Sequence, residues 1–171
     1  ADEYHAILHS ISNAMDFLKS IDGLQNANLN KVDFFTSHEA LHLHYEQALT
    51  RQLHDGHWYN LSTHLPWIGM RTANVDSAHI ELLRGVQNPI GIKVGPNATP
   101  KWLTDVLHLL NPQREAGRIL LISRMGAAHI ETHLPPLIDA VKTAAIPVTW
   151  SCDPMHGNTE TTSNGVKTRH F

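Results

Sequence analysis

The sequence predicts an α/β fold with parallel strands, and three observations carry the prediction. Strand-like apolar runs alternate with amphipathic stretches over residues 76–150, the pattern of right-handed βαβ units. One helix carries its own boundary signals: Thr99 before Pro100 gives an N-cap with proline at the first helical position, and Asn111-Pro112 stops it. Each apolar run ends in glycine, proline and polar residues, as α/β folds end strands at a site. At 171 residues the chain is long enough for a sizeable core, and a single domain over 1–171 is expected.

The elements follow in order. Tyr4 to Ile21 carries Ile7, Ile11, Met15 and Leu18 on a helical stripe that Gly23 can end, and a polar linker follows to Leu29. Val32 to Phe35 reads as a short strand. Thr36 and Glu39 fit a capping box for a helix through Ala40, Leu41, Tyr45, Ala48 and Leu49. His54 to His57 is a turn, and Trp58 to Leu65 alternates weakly enough to be the next strand. Asp76 to Val86 is helical, with Ile80, Leu83 and Val86 inward. Strands are expected over 89–94, 118–123 and 146–150, the last buried, with helices from Pro100 to Leu110 and from Leu134 to Ala145.

Composition excludes several classes. A formal charge of −3 and a pI near 6.5 leave no basic footprint for nucleic acid. The single cysteine, Cys152, rules out an internal disulfide framework, fits a reducing cytoplasmic setting, and reads as a small buried hydrophobe. No apolar run reaches the roughly 18–20 residues of a membrane span, and no signal-peptide pattern opens the chain. The start at Ala1 suggests a piece of something longer.

The polar groups at the strand ends carry the functional reading. The stretch Trp150 to Thr159 delivers Asp153, His156 and Asn158 into a Gly/Pro loop, either a site or a polar loop with a surface histidine. Lys93 interrupts an apolar strand, Arg124 closes the next, and Arg71 follows a fourth candidate strand. Cations converging on one mouth suit an anion, because arginine binds phosphate or carboxylate bidentately. The alternative is that Lys93 and Arg124 pair with carboxylates for structure alone. His38-Glu39-Ala40-Leu41-His42 also fits the H-E-x-x-H zinc-protease pattern. With 14 histidines in the chain that match is weak, and no third ligand follows at a suitable spacing. The other histidines are read as surface or helix-face residues.

Six ordered blocks make the chain resemble a known family. They are Thr36 to Leu41, Trp67 to Thr72, Gly91 to Asn97, Ser123 to Gly126, Cys152 to Thr159, and Lys167-Thr168-Arg169. Together they resemble the type II (plant-like) 3-deoxy-D-arabino-heptulosonate 7-phosphate (DAHP) synthases. The resemblance implies a partial (β/α)8 TIM barrel with parallel strands and an additional N-terminal helix. It implies condensation of phosphoenolpyruvate and erythrose 4-phosphate, the first step of the shikimate pathway, with a divalent metal (manganese or cobalt) as Lewis acid. His156 matches the family's histidine metal ligand. Arg71, Lys93 and Arg124 match the cations that hold phosphoenolpyruvate, Lys93 and His156 being the catalytic pair. Glu39, Trp67 and Met70 match residues lining that site, and Lys167 and Arg169 fall near the second substrate. A homo-oligomer is expected at full length.

Two departures matter. The family has glutamate before the arginine matched by Arg71, and this chain has Met70, which leaves only a backbone role there. Of the metal ligands that the resemblance implies, His156 alone is present. The expectation is therefore a central fragment, inactive by itself. Other readings are a non-catalytic or partner-binding piece, an aminoDAHP synthase, and, more distantly, a zinc protease.

Overall fold

The computed structural model describes residues 2–20 and 33–169, so the expected Gly23 stop, the linker over 22–29 and Val32 lie outside the described residues. Two compact units divide the chain, 1–34 and 35–171. In the first, α1 runs Asp2–Ser20 and leaves Ile7, Leu8 and Ile11 exposed.

The second unit is built on one parallel sheet. Its strands are β1 (Ser37–Glu39), β4 (Leu65–Ile68), β5 (Ile90–Val94), β6 (Ile119–Ser123) and β7 (Thr149–Cys152), paired in that order. Helices α2 (Leu43–Ala48), α3 (Ala78–Arg84), α4 (Pro100–Leu110) and α5 (Ile130–Ala144) come between them. Two antiparallel hairpins complete the unit: β2 (Thr50–Gln52) with β3 (Trp58–Asn60), and β8 (Thr159–Thr161) with β9 (Lys167–Arg169). Neighbouring parallel strands in sequence order with helical crossovers agree with part of a TIM barrel.

Strand periodicity separates the faces of the sheet. Ile68, Ile90, Ile92, Val94, Ile119 and Leu121 point to the helical layer and are fully buried against Ile80, Leu83, Leu103, Val106, Leu107 and Leu137. Register puts Glu39 beside Trp67, Trp67 beside Gly91, and Lys93 beside Ile122 on the opposite face. Those side chains are only partly buried, apart from Gly91. Gly91 is required there, because a Cβ would meet Trp67 Cβ at 2.6 Å. The helix starts follow the expected chemistry: Thr99 Oγ1 accepts from Trp102 N–H and Ser77 Oγ from Ile80 N–H, each at 3.2 Å.

Several expectations are corrected. Residues 33–35 form no strand; the strand is Ser37–Glu39, so Glu39 is not a capping-box residue and α2 begins only at Leu43. Pairing with β4 outweighs the local helix signal, since Ala40 N–H continues the ladder to Trp67 C=O at 2.9 Å. The stretch Trp58 to Leu65 is not one strand: β3 ends at Asn60 and β4 starts at Leu65. Helix α5 starts a turn before the proline pair, with Pro135 and Pro136 inside the helix and exposed. The last strand is not buried. It lies at the end of the sheet order, most of it is exposed, and Cys152 is exposed with it.

Candidate anion site at the strand ends

The carboxyl ends of the five parallel strands surround a cavity of about 390 Å³. Glu39 comes from β1, Trp67 from β4, and Gly69, Met70 and Arg71 from the loop after it. Lys93 comes from β5, Arg124 follows β6, and His156 lies in the loop after β7. The seven residues expected around phosphoenolpyruvate and the metal therefore line one cavity, and the eighth lining residue is Gly69. A side chain at Gly69 would collide with the Glu39 carboxylate. The local spacing explains the convergence: Lys93 sits one residue before the end of its strand, and Arg124 one residue past the end of the next.

An ion-pair cluster forms the floor. Lys93 Nζ lies 2.5 Å from Asp153 Oδ2, and His156 Nδ1 lies 2.7 Å from the same oxygen. Backbone N–H groups of Met155 and His156 donate to Asp153 Oδ1, both at 3.1 Å. Burial pushes the Asp153 carboxyl up, but hydrogen bonds from Lys93 and the His156 backbone and side chain outweigh it and hold the group well below the usual carboxylate range. Lys93 Nζ also stands 4.8 Å above the Trp67 ring, a cation–π contact. Arg124 is the exception to this pairing. Its Nε is buried and, among the described residues, has no hydrogen-bond partner.

Backbone contact locks two of the loops together. Gly126 and Gly157 adopt φ of +77° and +95°, and a Cβ on either would meet the backbone of the other. Asn158 Oδ1 accepts from Ala127 N–H at 2.9 Å, and Asn158 Nδ2 donates to Pro154 C=O at 2.9 Å. Arg169 Nε donates to Met155 C=O at 2.9 Å, so this residue braces the His156 loop; neither Arg169 nor Lys167 lines the cavity. Sequence reasoning singled out Asp153 and His156 and held open a carboxylate partner for Lys93, which proves to be Asp153, but it missed the glycine contact. A glycine in the loop after each of the two strands, Gly126 and Gly157, was the available signal.

The H-E-x-x-H pattern does not make a helical metal site. His38 and Glu39 lie in β1, and His42 is the N-cap of α2. His38 instead donates Nε2–H to Glu46 Oε1 at 2.9 Å. Glu46 is 1% exposed and also accepts from Asn60 Nδ2 at 2.6 Å and Ser62 Oγ at 2.7 Å. Among the described residues, no three of His, Cys, Asp and Glu group to hold a metal. His156 offers Nε2 alone, its Nδ1 being bound to Asp153.

Comparisons with known proteins agree with the sequence blocks. The model of the Class-II DAHP synthetase family matches residues 1–171. A probable chloroplastic phospho-2-dehydro-3-deoxyheptonate aldolase of Catharanthus roseus is 45% identical over 99% of this chain and 35% of its own length. The phospho-2-dehydro-3-deoxyheptonate aldolase of Neurospora crassa is 41% identical, over 99% of this chain and 39% of its length. That of Streptomyces coelicolor is 44% identical, over 98% and 37%. The chain thus spans little more than a third of the relatives it matches.

Proposed function

The chain belongs to the Class-II DAHP synthetase family, and from that premise we propose that it is the phosphoenolpyruvate-holding part of a DAHP synthase. One observation carries the reading most directly: among the described residues the buried Arg124 Nε has no partner, and it belongs to a cavity that Lys93 and Arg71 also line. A buried donor left unpaired is costly, and an anion is the ligand that would satisfy it. Phosphoenolpyruvate carries a phosphate and a carboxylate, which suits three cations around one space. Arg124 offers its fork to one anionic group, Lys93 a point charge, and Arg71, exposed at the rim, a second fork. Trp67 and Glu39 shape the wall, and Met70 contributes backbone only.

Erythrose 4-phosphate is the proposed second substrate, its C–C bond to phosphoenolpyruvate made in the whole enzyme. The divalent cation of that reading, manganese or cobalt, is not accommodated by the described residues, which supply His156 alone. Affinity depends on ligand count, so these residues bind anion without turning substrates over. The exposed, single cysteine suits a reducing compartment such as the cytoplasm. No helix among the described residues is long and apolar enough to cross a membrane.

Calorimetric titration of the purified chain with phosphoenolpyruvate and with inorganic phosphate tests the reading. Binding of both, lost in Arg124→Ala, is expected, with no consumption of phosphoenolpyruvate when manganese and erythrose 4-phosphate are added. Anion binding indifferent to Arg124 would overturn the assignment. Turnover that disappears in His156→Ala would overturn the inactive-fragment reading.

A further inference from the structure

We propose that Asp153 is a positioning residue: its Oδ2 serves as a resident counter-ion for Lys93 and fixes His156 with Nδ1 protonated and Nε2 left for the cavity. The counter-ion half rests on the anion-binding reading above; the histidine half does not.

The carboxylate is set by its own loop rather than by any ligand. Oδ1 takes the backbone N–H groups of Met155 and His156, and Asp153 N–H continues the ladder to Ser123 C=O at 2.8 Å. Oδ2 is then presented to Lys93 and His156 together. With its side chain 9% exposed, it has little water to turn to. A carboxylate only accepts hydrogen bonds, so the imidazole nitrogen facing it must carry a hydrogen. Lys93, 13% exposed on a strand, would be a costly charge without this partner. An arriving anion meets an ammonium that is already charged and placed, but it must share that ammonium with Asp153. The carboxylate therefore weakens the anion's hold on Lys93, which the Trp67 ring also keeps in place.

This competition gives the test its sign. In Asp153→Asn the competing charge is gone, and inorganic phosphate should bind tighter, on the order of tenfold. A residue that merely holds the loop together would, on removal, loosen the site and weaken phosphate. Long-range ¹H–¹⁵N spectra of the ring, recorded in its neutral form and assigned by loss of the signal in His156→Gln, read the histidine half of the proposal. The wild-type chain should show the Nδ1–H tautomer, moving toward Nε2–H in Asp153→Asn and returning in Asp153→Glu. The wild-type spectrum needs no variant to fold, and an Nε2–H pattern there overturns the proposal. Unchanged or weaker phosphate binding by a folded Asp153→Asn chain overturns the counter-ion role. If wild-type chain binds no phosphate while the Nδ1–H tautomer is present, the anion reading and the counter-ion role fall and the histidine assignment survives.

Discussion

Two arginines bracket β6 and meet opposite fates. Arg118, just before the strand, is 8% exposed and gives its donors to the carbonyls of Leu110, Asn88, Leu83 and Val86. Leu83 and Val86 lie around the end of α3 and Leu110 ends α4, so the cation meets the negative ends of two helices. Burial pushes its pKa down, with Glu115 opposing. Arg124, just after the strand, keeps a buried Nε that nothing among the described residues answers. Residue type and burial alone do not separate a structural cation from a binding one. The separation lies in which donors are already spent.

The largest effect expected from this contrast is on Arg118. Arg118→Met strips a cation from four buried carbonyls, and urea unfolding should register a loss of about 3–5 kcal/mol, with anion affinity unchanged in the folded chain. Arg124→Met should do the reverse. Its Nε has no partner to lose, so stability should move by less than about 1 kcal/mol, while phosphate affinity falls at least about tenfold, the value of a charge-assisted hydrogen bond.

A third test extends the contrast to a carboxylate whose acceptors are spent. Burial raises the Glu46 pKa, but hydrogen bonds from Ser62, Asn60 and His38 outweigh that and hold it below the usual carboxylate range. A depressed carboxylate stabilises the fold above its unfolded pKa and loses that contribution as pH falls through the folded value. Thermal unfolding between pH 7 and roughly pH 3 should therefore decline less steeply in Glu46→Gln than in the native chain. The smallest effect is expected at Met70, exposed on the cavity rim. Met70→Glu should change phosphoenolpyruvate affinity by less than about tenfold, roughly 1.4 kcal/mol, and a larger gain would assign the position a side-chain role.

What was legible in the sequence follows from how local each signal is. Helix α4 carried its own N-cap, proline and stop. The apolar runs of β5 and β6 needed only their composition, and their ends pointed to the residues around the cavity. Strand β1 was misread because Thr36 to Glu39 satisfies a local helix-start pattern, while its real partner is Leu65 to Trp67, far along the chain. Hairpin β8–β9 was missed because its short strands are exposed and polar, with no alternation to read. The Lys93–Asp153 pair joins residues 60 apart, and only the sheet register brings them together.

The stacking of Lys93 over Trp67 has an optical consequence. An indole's emission responds to charge near its ring, and here the charge belongs to the residue that an anion would engage. Ligand arrival that draws the ammonium off the ring changes the field on this chromophore, so the cavity carries its own light-emitting reporter. Trp58, Trp102 and Trp150 add a background that does not line the cavity, and replacing them with phenylalanine would isolate the signal of Trp67.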